Sequence, residues 1–293
     1  MGTAVTVGTF DGVHRGHQTV LRMLREESAR LGLAPLVVTF DRHPLETVAP
    51  ERAPGLIMDP DSRDALIRGC GVEVERVAFT EDVRRMTAAE WMRRLVGEYG
   101  ASMLLLGYDN TFGSDGMVMT SDDFRAEGQR IGLRVEVAPA VAGCSSSAVR
   151  KALAAGDTML AASILGRPFS ILGVVGHGRQ LGRTIGLPTA NVETSPRQFI
   201  PAPGVYAGRA FVPVPGGCGE EAYHAVVNVG KSPTVTDCGI MRIEAHLLGF
   251  SGDLYDREIR IEFGTKIRDE RKFHSLDDLR AQIEADIRAA VKK

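Results

Sequence analysis

The periodicity of this chain changes partway along its length, and that change restricts it to two domains built on different principles. Before Gly166-Arg167-Pro168-Phe169, apolar strand-like runs alternate with helical spacing; beyond it, short strands alternate with Gly/Pro turns. In the first half, residues 4–7, 36–40, 72–79, 103–106 and 134–137 read as strands, and 36–40 and 103–106 are continuous apolar runs typical of buried parallel strands. Helices are expected over 19–31, 60–69, 87–99 and 121–131, with Thr87 and Glu90 forming a capping box. This βα rhythm predicts an α/β fold with a doubly wound parallel sheet, in which ligands bind beyond the carboxyl ends of the strands.

The second half predicts strands over 171–175, 204–212, 223–229, 242–248 and 258–263. Ile259, Ile261 and Phe263 alternate with Glu258, Arg260 and Glu262, the period of a half-buried strand. Such spacing implies a small barrel or sandwich. A helix closes the chain: Ser275 and Asp278 make a capping box, and Leu279, Ile283, Ile287 and Val291 form a stripe that would cover the strands. The expected domains are 1–166 and 167–293.

Composition excludes several classes. With 37 acidic against 35 basic residues, the chain lacks the electrostatic footprint of a nucleic-acid-binding protein. No apolar stretch approaches the ~18 residues that span a bilayer, and Gly2-Thr3 leads straight into a strand rather than a signal peptide. Cys70, Cys144, Cys218 and Cys238 show no CxxC spacing, so zinc or a redox pair is not indicated. The expectation is a cytoplasmic protein with no nucleic-acid or membrane partner and an undetermined oligomeric state.

The run Gly8-Thr9-Phe10-Asp11-Gly12-Val13-His14-Arg15-Gly16-His17 leaves the first strand and opens the first helix. Glycine lets backbone N–H groups approach an anion closely, and a helix N-terminus adds about half a positive charge. His14 and His17, three residues apart, can share one side of the first turn. A glycine-rich turn with two exposed histidines would read the same way in isolation. In full, the run resembles the HxGH signature of the nucleotidyltransferase superfamily, and bacterial FAD synthetases in particular. That resemblance implies that Gly8, Thr9, Phe10, Asp11, Gly12 and Gly16 bind ATP phosphates, while His14 and His17 stabilise charge as the α-phosphate is attacked and pyrophosphate leaves. Positioning and electrostatics suffice for such a step, with no covalent intermediate.

Other segments match the same family in order. Thr39-Phe40-Asp41-Arg42-His43-Pro44 resembles its TFxPHP loop, with Arg42 in place of the first proline, and Gly107-Tyr108-Asp109-Asn110-Thr111-Phe112-Gly113 resembles its GxDFRFG loop. The resemblance places Asp41, His43, Asp109 and Asn110 at the flavin. Ser145-Ser146-Ser147-Ala148-Val149-Arg150 resembles the SSTxIR signature, implying that Ser145, Ser146, Ser147 and Arg150 contact the triphosphate. Hydroxyls at a helix start with an arginine one turn in make a reasonable phosphate clamp, and a serine N-cap is compatible with it.

In the second half, the stretch from Gly173 to Asn191 ends in Gly186-Leu187-Pro188-Thr189-Ala190-Asn191 and resembles riboflavin kinases. The resemblance implies phosphate binding at Gly176, Gly178 and Gly182, and Mg²⁺ held by Thr189 and Asn191; neutral oxygens suit a hard cation that binds mainly through phosphates. Pro203-Gly204-Val205-Tyr206, Asn228-Val229-Gly230-Lys231-Ser232-Pro233-Thr234 and Arg242-Ile243-Glu244-Ala245-His246-Leu247 match further motifs. Alternation puts Arg242, Glu244 and His246 on one face, and by resemblance Glu244 is the general base for the riboflavin 5′-hydroxyl. Arg268, in a segment similar to the family's flavin-covering loop, is the expected flavin contact. Asp256 stands where the family usually carries Gly, which predicts an altered or relocated turn.

Together these resemblances imply a Rossmann-like FMN adenylyltransferase domain followed by an antiparallel β-barrel riboflavin kinase domain with a closing helix. The chain would take riboflavin and ATP to FMN, and FMN and ATP to FAD and pyrophosphate. Retention of the kinase alone, or an inactive flavin-binding regulatory protein, are the alternatives; both sets of site residues argue against the second.

Overall fold

A computed structural model describes residues 2–108, 112–177, 186–214, 216–217, 219–231, 241–271, 273 and 275–291, with backbone only at Lys231 and Leu276. The chain divides into two compact units, Met1–Ser146 and Ser147–Lys293.

The first unit is the expected parallel sheet. Its strands are β1 (Thr3–Val7), β2 (Ala34–Phe40), β3 (Glu73–Val77), β4 (Ala101–Leu106) and β5 (Arg134–Val137), in the order β3-β2-β1-β4-β5, all parallel. Alternate strand residues enter two separate cores. Val5, Val7, Val38, Phe40, Leu104 and Leu106 pack against helices α5 (Ala88–Tyr99) and α6 (Ser121–Ile131). Ala4, Val37, Met103 and Leu105 pack on the other face against α1 (Arg15–Leu31) and α3 (Pro60–Gly69). Short helices α2 (Leu45–Val48) and α4 (Glu81–Arg85) fill connections. Strand order reverses between β1 and β4, so the segments that follow them, Gly8 onward and Gly107 onward, leave the sheet at the switch point where such folds bind ligands.

The second unit begins with α7 (Ser146–Ala154, its first residue still counted with the first unit) and α8 (Thr158–Leu165), a helix absent from the expectations drawn from sequence. α8 packs on barrel strands, and Thr158 donates to the Gly264 carbonyl. This is why compactness divides the chain upstream of the periodicity change near residue 166. The barrel comprises β6 (Phe169–Gly176), β7 (Ala190–Glu193), β8 (Gly204–Pro213), β9 (Glu220–Lys231), β10 (Met241–Leu247) and β11 (Glu258–Arg268). It closes in the order β10-β7-β6-β11-β8-β9, every pair antiparallel. Of the barrel and sandwich left open by spacing alone, the barrel is the one formed. Ile259, Ile261 and Phe263 are buried, as their alternation predicts.

The closing helix α9 (Leu276–Val291) departs in detail from its apolar stripe. Its most buried residues are Asp286 and Ala290, whereas Val291 is 57% exposed. Ala290 and Ile287 pack with Val205, Ala207, Val226 and Ile267 on the outside of the barrel. The stripe misses this because a charged side chain, Asp286, occupies the centre of the docked face.

Helix starts follow their capping chemistry. Glu90 N–H donates to Thr87 Oγ1 and Thr87 N–H donates to Glu90 Oε2 at 2.7 Å, the reciprocal pair read from sequence. Thr87→Ala is expected to lower the stability of the first unit by about 1 kcal/mol in denaturant unfolding.

Candidate active sites

The loop after β1 is held in a conformation that few sequences tolerate. Phe10, Gly12 and Val13 have φ of 49°, 81° and 39°. Phe10 and Val13 are nevertheless buried in the core that receives α1. Asp11, 4% exposed, accepts from Ile57 N–H at 2.9 Å and from Met58 N–H at 3.3 Å, and its carbonyl accepts from Ser146 Oγ at 2.9 Å. Its carboxylate therefore ties the loop to residues 57–58. A Cβ at Gly12 would meet Ile57 Cγ2 at 2.9 Å, so tight packing as well as φ demands glycine there.

His14 is the N-cap of α1: its Nδ1 accepts the His17 N–H at 3.3 Å. In the neutral ring that acceptor role leaves the proton on Nε2. The His14 and His17 rings stack with centroids 3.7 Å apart and a 19° interplanar angle, and Phe10 lies 4.9 Å from His17. A Cβ on Gly16 would come within 3.0 Å of His14 Cε1, so this glycine admits the imidazole. The two histidines are thus brought together at a helix N-terminus, where backbone donors and the helix dipole favour anions. Ser145 immediately precedes α7, Ser146 and Ser147 open it, and Arg150 lies one turn in, half-buried.

Thr9, Asp11, Asp41 and His43 line one small cleft of about 20 Å³, together with Arg42, Leu56, Met58, Pro60 and Arg63. Asp41 is turned mainly to structure, its Oδ1 accepting from Phe79 N–H at 2.9 Å. His43 Nδ1 accepts from Leu45 N–H at 3.2 Å. Asp109 and Asn110 lie outside the described residues.

Arg63 is the residue that sequence reading missed, because on α3 it looks like one of several solvated charges. It is buried, and its Nη1 donates to Thr9 O at 3.3 Å and to Phe40 O at 3.2 Å, joining the loop after β1 to the end of β2. Its Nε donates to Asp64, which Arg76 also engages.

In the barrel, strand register assembles the polar face. Glu244 is paired with Asn191 on β7 and with Asn228 on β9, and Asn191 is paired with Gly176 on β6. Paired residues share a face, so Glu244, Asn191 and Asn228 stand in one row. Ile243, Ala245 and Leu247 are buried between them, as alternation predicts. Burial raises the Glu244 carboxyl above the usual range; the Arg242 charge opposes this and Glu270 adds to it. His246 Nδ1 lies 2.7 Å from Pro188 O and anchors the turn that carries Thr189. Thr189 opens onto a cavity of about 390 Å³ walled by Val175, Ala245, Leu247 and residues 250–255; Asn191 and Glu244 are not among its walls. Gly178 and Gly182 lie outside the described residues.

Arg268, the expected flavin contact, binds Asp286 through Nε and Nη2 and donates through Nη1 to Asp269 O. Asp256, in the turn where the family usually carries Gly, has a left-handed conformation at φ 58°, a region Asp enters more readily than most residues, and its N–H donates to Val175 O at 2.9 Å. Tyr255 beside it stacks on His177 at 4.1 Å.

The sequence profile of riboflavin kinases matches residues 165–293, and that of FAD synthetases matches residues 1–150. A protein of Pseudomonas fluorescens named bifunctional riboflavin kinase/FMN adenylyltransferase is 42% identical over 297 residues, spanning 99% of this chain and 92% of that protein. Its namesake from Escherichia coli (strain K12) is 38% identical over 97% of this chain and 90% of its own length. A crystal structure from Streptococcus pneumoniae described as a macrolide-efflux protein matches with a TM-score of 0.87 and 30% identity, over 100% of this chain and 95% of that one. Among the described residues here, no helix is long and apolar enough to cross a membrane, and the efflux description stays with that protein.

Relief of a left-handed non-glycine residue is worth about 1 kcal/mol, so Asp256→Gly should raise the thermal midpoint of the barrel unit. Arg63→Ala should lower the stability of the first unit by about 3 kcal/mol in denaturant unfolding, since it strips Asp64 of one buried partner.

Proposed function

We propose how two centres divide a two-step synthesis, from the premise that the chain belongs to the family of bifunctional riboflavin kinase/FMN adenylyltransferases. The protein phosphorylates riboflavin to FMN with ATP and adenylylates FMN to FAD with release of pyrophosphate. Residues 167–293 carry the kinase step and residues 1–166 the adenylylation, in the cytoplasm.

The observation that carries the kinase assignment is the register that sets Glu244 beside Asn191. Glu244, made more basic by burial, takes the proton of the riboflavin 5′-hydroxyl. That oxygen then bonds to the γ-phosphorus of ATP as the bond to ADP breaks. Thr189 and Asn191 offer neutral oxygens, and the described residues contain no cluster of three or more His, Cys, Asp or Glu that would hold a metal instead. This donor set fits Mg²⁺, which shares its charge with the substrate phosphates. Bound there, the ion would neutralise charge on the phosphoryl group in transfer. Gly176, next to Asn191 across the ladder, offers its backbone to the phosphates, with the Glu193 carboxylate in the space that a Cβ would take.

At the other centre an FMN phosphate oxygen attacks the α-phosphorus of ATP, and the bond to pyrophosphate breaks. His14 Nε2–H and His17 donate to the phosphate oxygens where charge builds. The backbone of Thr9, Phe10, Asp11, Gly12 and Gly16 supplies further donors, Gly8 borders the phosphates with its own N–H donating to Val38 O, and Ser145, Ser146, Ser147 and Arg150 hold the triphosphate. Asp41, His43, Asp109 and Asn110 border the flavin, and Arg268 belongs to the segment that covers riboflavin in the barrel.

The test is to incubate the protein with riboflavin, ATP and Mg²⁺ and to follow flavins by chromatography. FMN followed by FAD is the expected course; riboflavin left unchanged would refute the assignment. Glu244→Gln should slow FMN formation by about 10²–10⁴-fold yet still convert added FMN to FAD. His17→Ala should do the reverse, and loss of both steps in either variant would show that the centres are not separate. Chelation of divalent metal should stop FMN formation, with recovery on adding Mg²⁺.

A further inference from the structure

Asp286 sits on the docked face of the closing helix with only 2% of its surface exposed, where an unpaired carboxylate would be strongly penalised. It is paired. Arg268 Nε donates to both carboxylate oxygens at 3.1 Å, and Arg268 Nη2 donates to Oδ2 at 2.8 Å. Gln282, one turn earlier, donates to Oδ1 at 2.7 Å. Arg268 also donates through Nη1 to Asp269 O at 3.0 Å, while Arg271 donates to the Gln282 side-chain oxygen. The helix therefore grips the 268–271 segment at both ends. Arg271 and Arg268 lie 4.9 Å and 5.7 Å from the Phe273 ring, which extends the grip one step further.

Between the two grips stands Glu270. Its carboxylate fills the space that a Cβ on Gly230 would take. Gly230 is the register partner of Arg242, which shares its strand face with Glu244 two residues on. Arg268 is thereby engaged as a strut, and the group its segment delivers to the polar strand face is Glu270. A buried ion pair is weak support for stability, since an apolar pair of similar volume often serves as well. What a bidentate Arg–carboxylate pair supplies in addition is a defined orientation.

We propose that Asp286 is a positioning residue of the kinase centre: acting through Arg268, it holds the 268–271 segment so that Glu270 stands over Gly230 beside Arg242. The proposal rests on the reading of this strand face as the riboflavin site. Asp286 touches no substrate. It sets the place of the segment that does.

The experiment uses the full chain and measures initial rates of FMN formation with riboflavin and ATP varied separately. Asp286→Asn is expected to raise the riboflavin KM about tenfold while kcat and the ATP KM stay within about twofold. Asp286→Glu retains the charge and should recover most of that affinity. Because Asp286→Asn also leaves Arg268 poorly paired and lowers the thermal midpoint, Gly230→Ala serves as the independent variant. Its methyl group displaces the Glu270 carboxylate without touching the helix, and the same rise in riboflavin KM is expected at an unchanged midpoint. A wild-type riboflavin KM in either Asp286→Asn or Gly230→Ala overturns the proposal, as does a fall in thermal midpoint and kcat with KM unmoved. Failure of the unsubstituted chain to make any FMN would instead sink the reading on which the proposal rests.

Discussion

The amino-terminal site depends on burying Phe10 and Val13 in a loop whose backbone neither residue favours. Left-handed conformation disfavours each by about 1–2 kcal/mol, whereas full burial of a Val or Phe side chain stabilises by about 1.5–3 kcal/mol. The bonds from Ile57 and Met58 to the buried Asp11 carboxylate add to the favourable side, at about 1.5–3 kcal/mol each for a charged acceptor. Burial wins, and the loop is held before any ligand arrives. His14 is then fixed as a helix cap, its ring orientation set by the His17 N–H, with Gly16 leaving the space it needs. Preorganised donors of this kind need little rearrangement when charge develops on a phosphate.

The barrel solves its problem by the pleat. One face of β10 is apolar and packs inward; the other carries Arg242, Glu244 and His246. β10 pairs with β7, which is distant in sequence, and with β9, the strand that precedes it, and this brings Asn191 and Asn228 alongside Glu244. Each of these side chains has its place because a neighbouring residue is buried. A one-residue slip in register would carry the whole row to the opposite face. Packing and chemistry are therefore set by the same ladder, and the helix that covers the barrel adds a second constraint through Asp286 and Arg268.

Much of this was legible. The sheet followed from apolar runs alternating with helical periods, and the Thr87–Glu90 box, Ser121–Ile131 and Arg134–Val137 were found where local chemistry placed them. Those features rest on interactions within a few residues. Arg63 was not legible, because nothing near it in sequence distinguishes a buried guanidinium that joins a loop carbonyl to a strand-end carbonyl from a solvated one. The use of Asp11 and Asp41 as backbone acceptors was hidden for the same reason: their partners lie at residues 57–58 and 79. The closing helix shows the limit from the other side. An apolar stripe predicts the docked face, but a charge satisfied by a distant arginine can sit at its centre.

By itself, the amino-acid sequence determined the alternation of strands and helices, the two building styles, the helix caps and the family motifs, since each is written in spacing and local hydrogen bonding. Only the tertiary structure decided that the second half closes as a barrel, that Glu244 faces Asn191 and Asn228, that Asp256 takes a left-handed conformation, and that Arg268 binds Asp286. These depend on which distant segments meet and which charges are buried together. That is a property of long-range packing, and local periodicity carries no record of it.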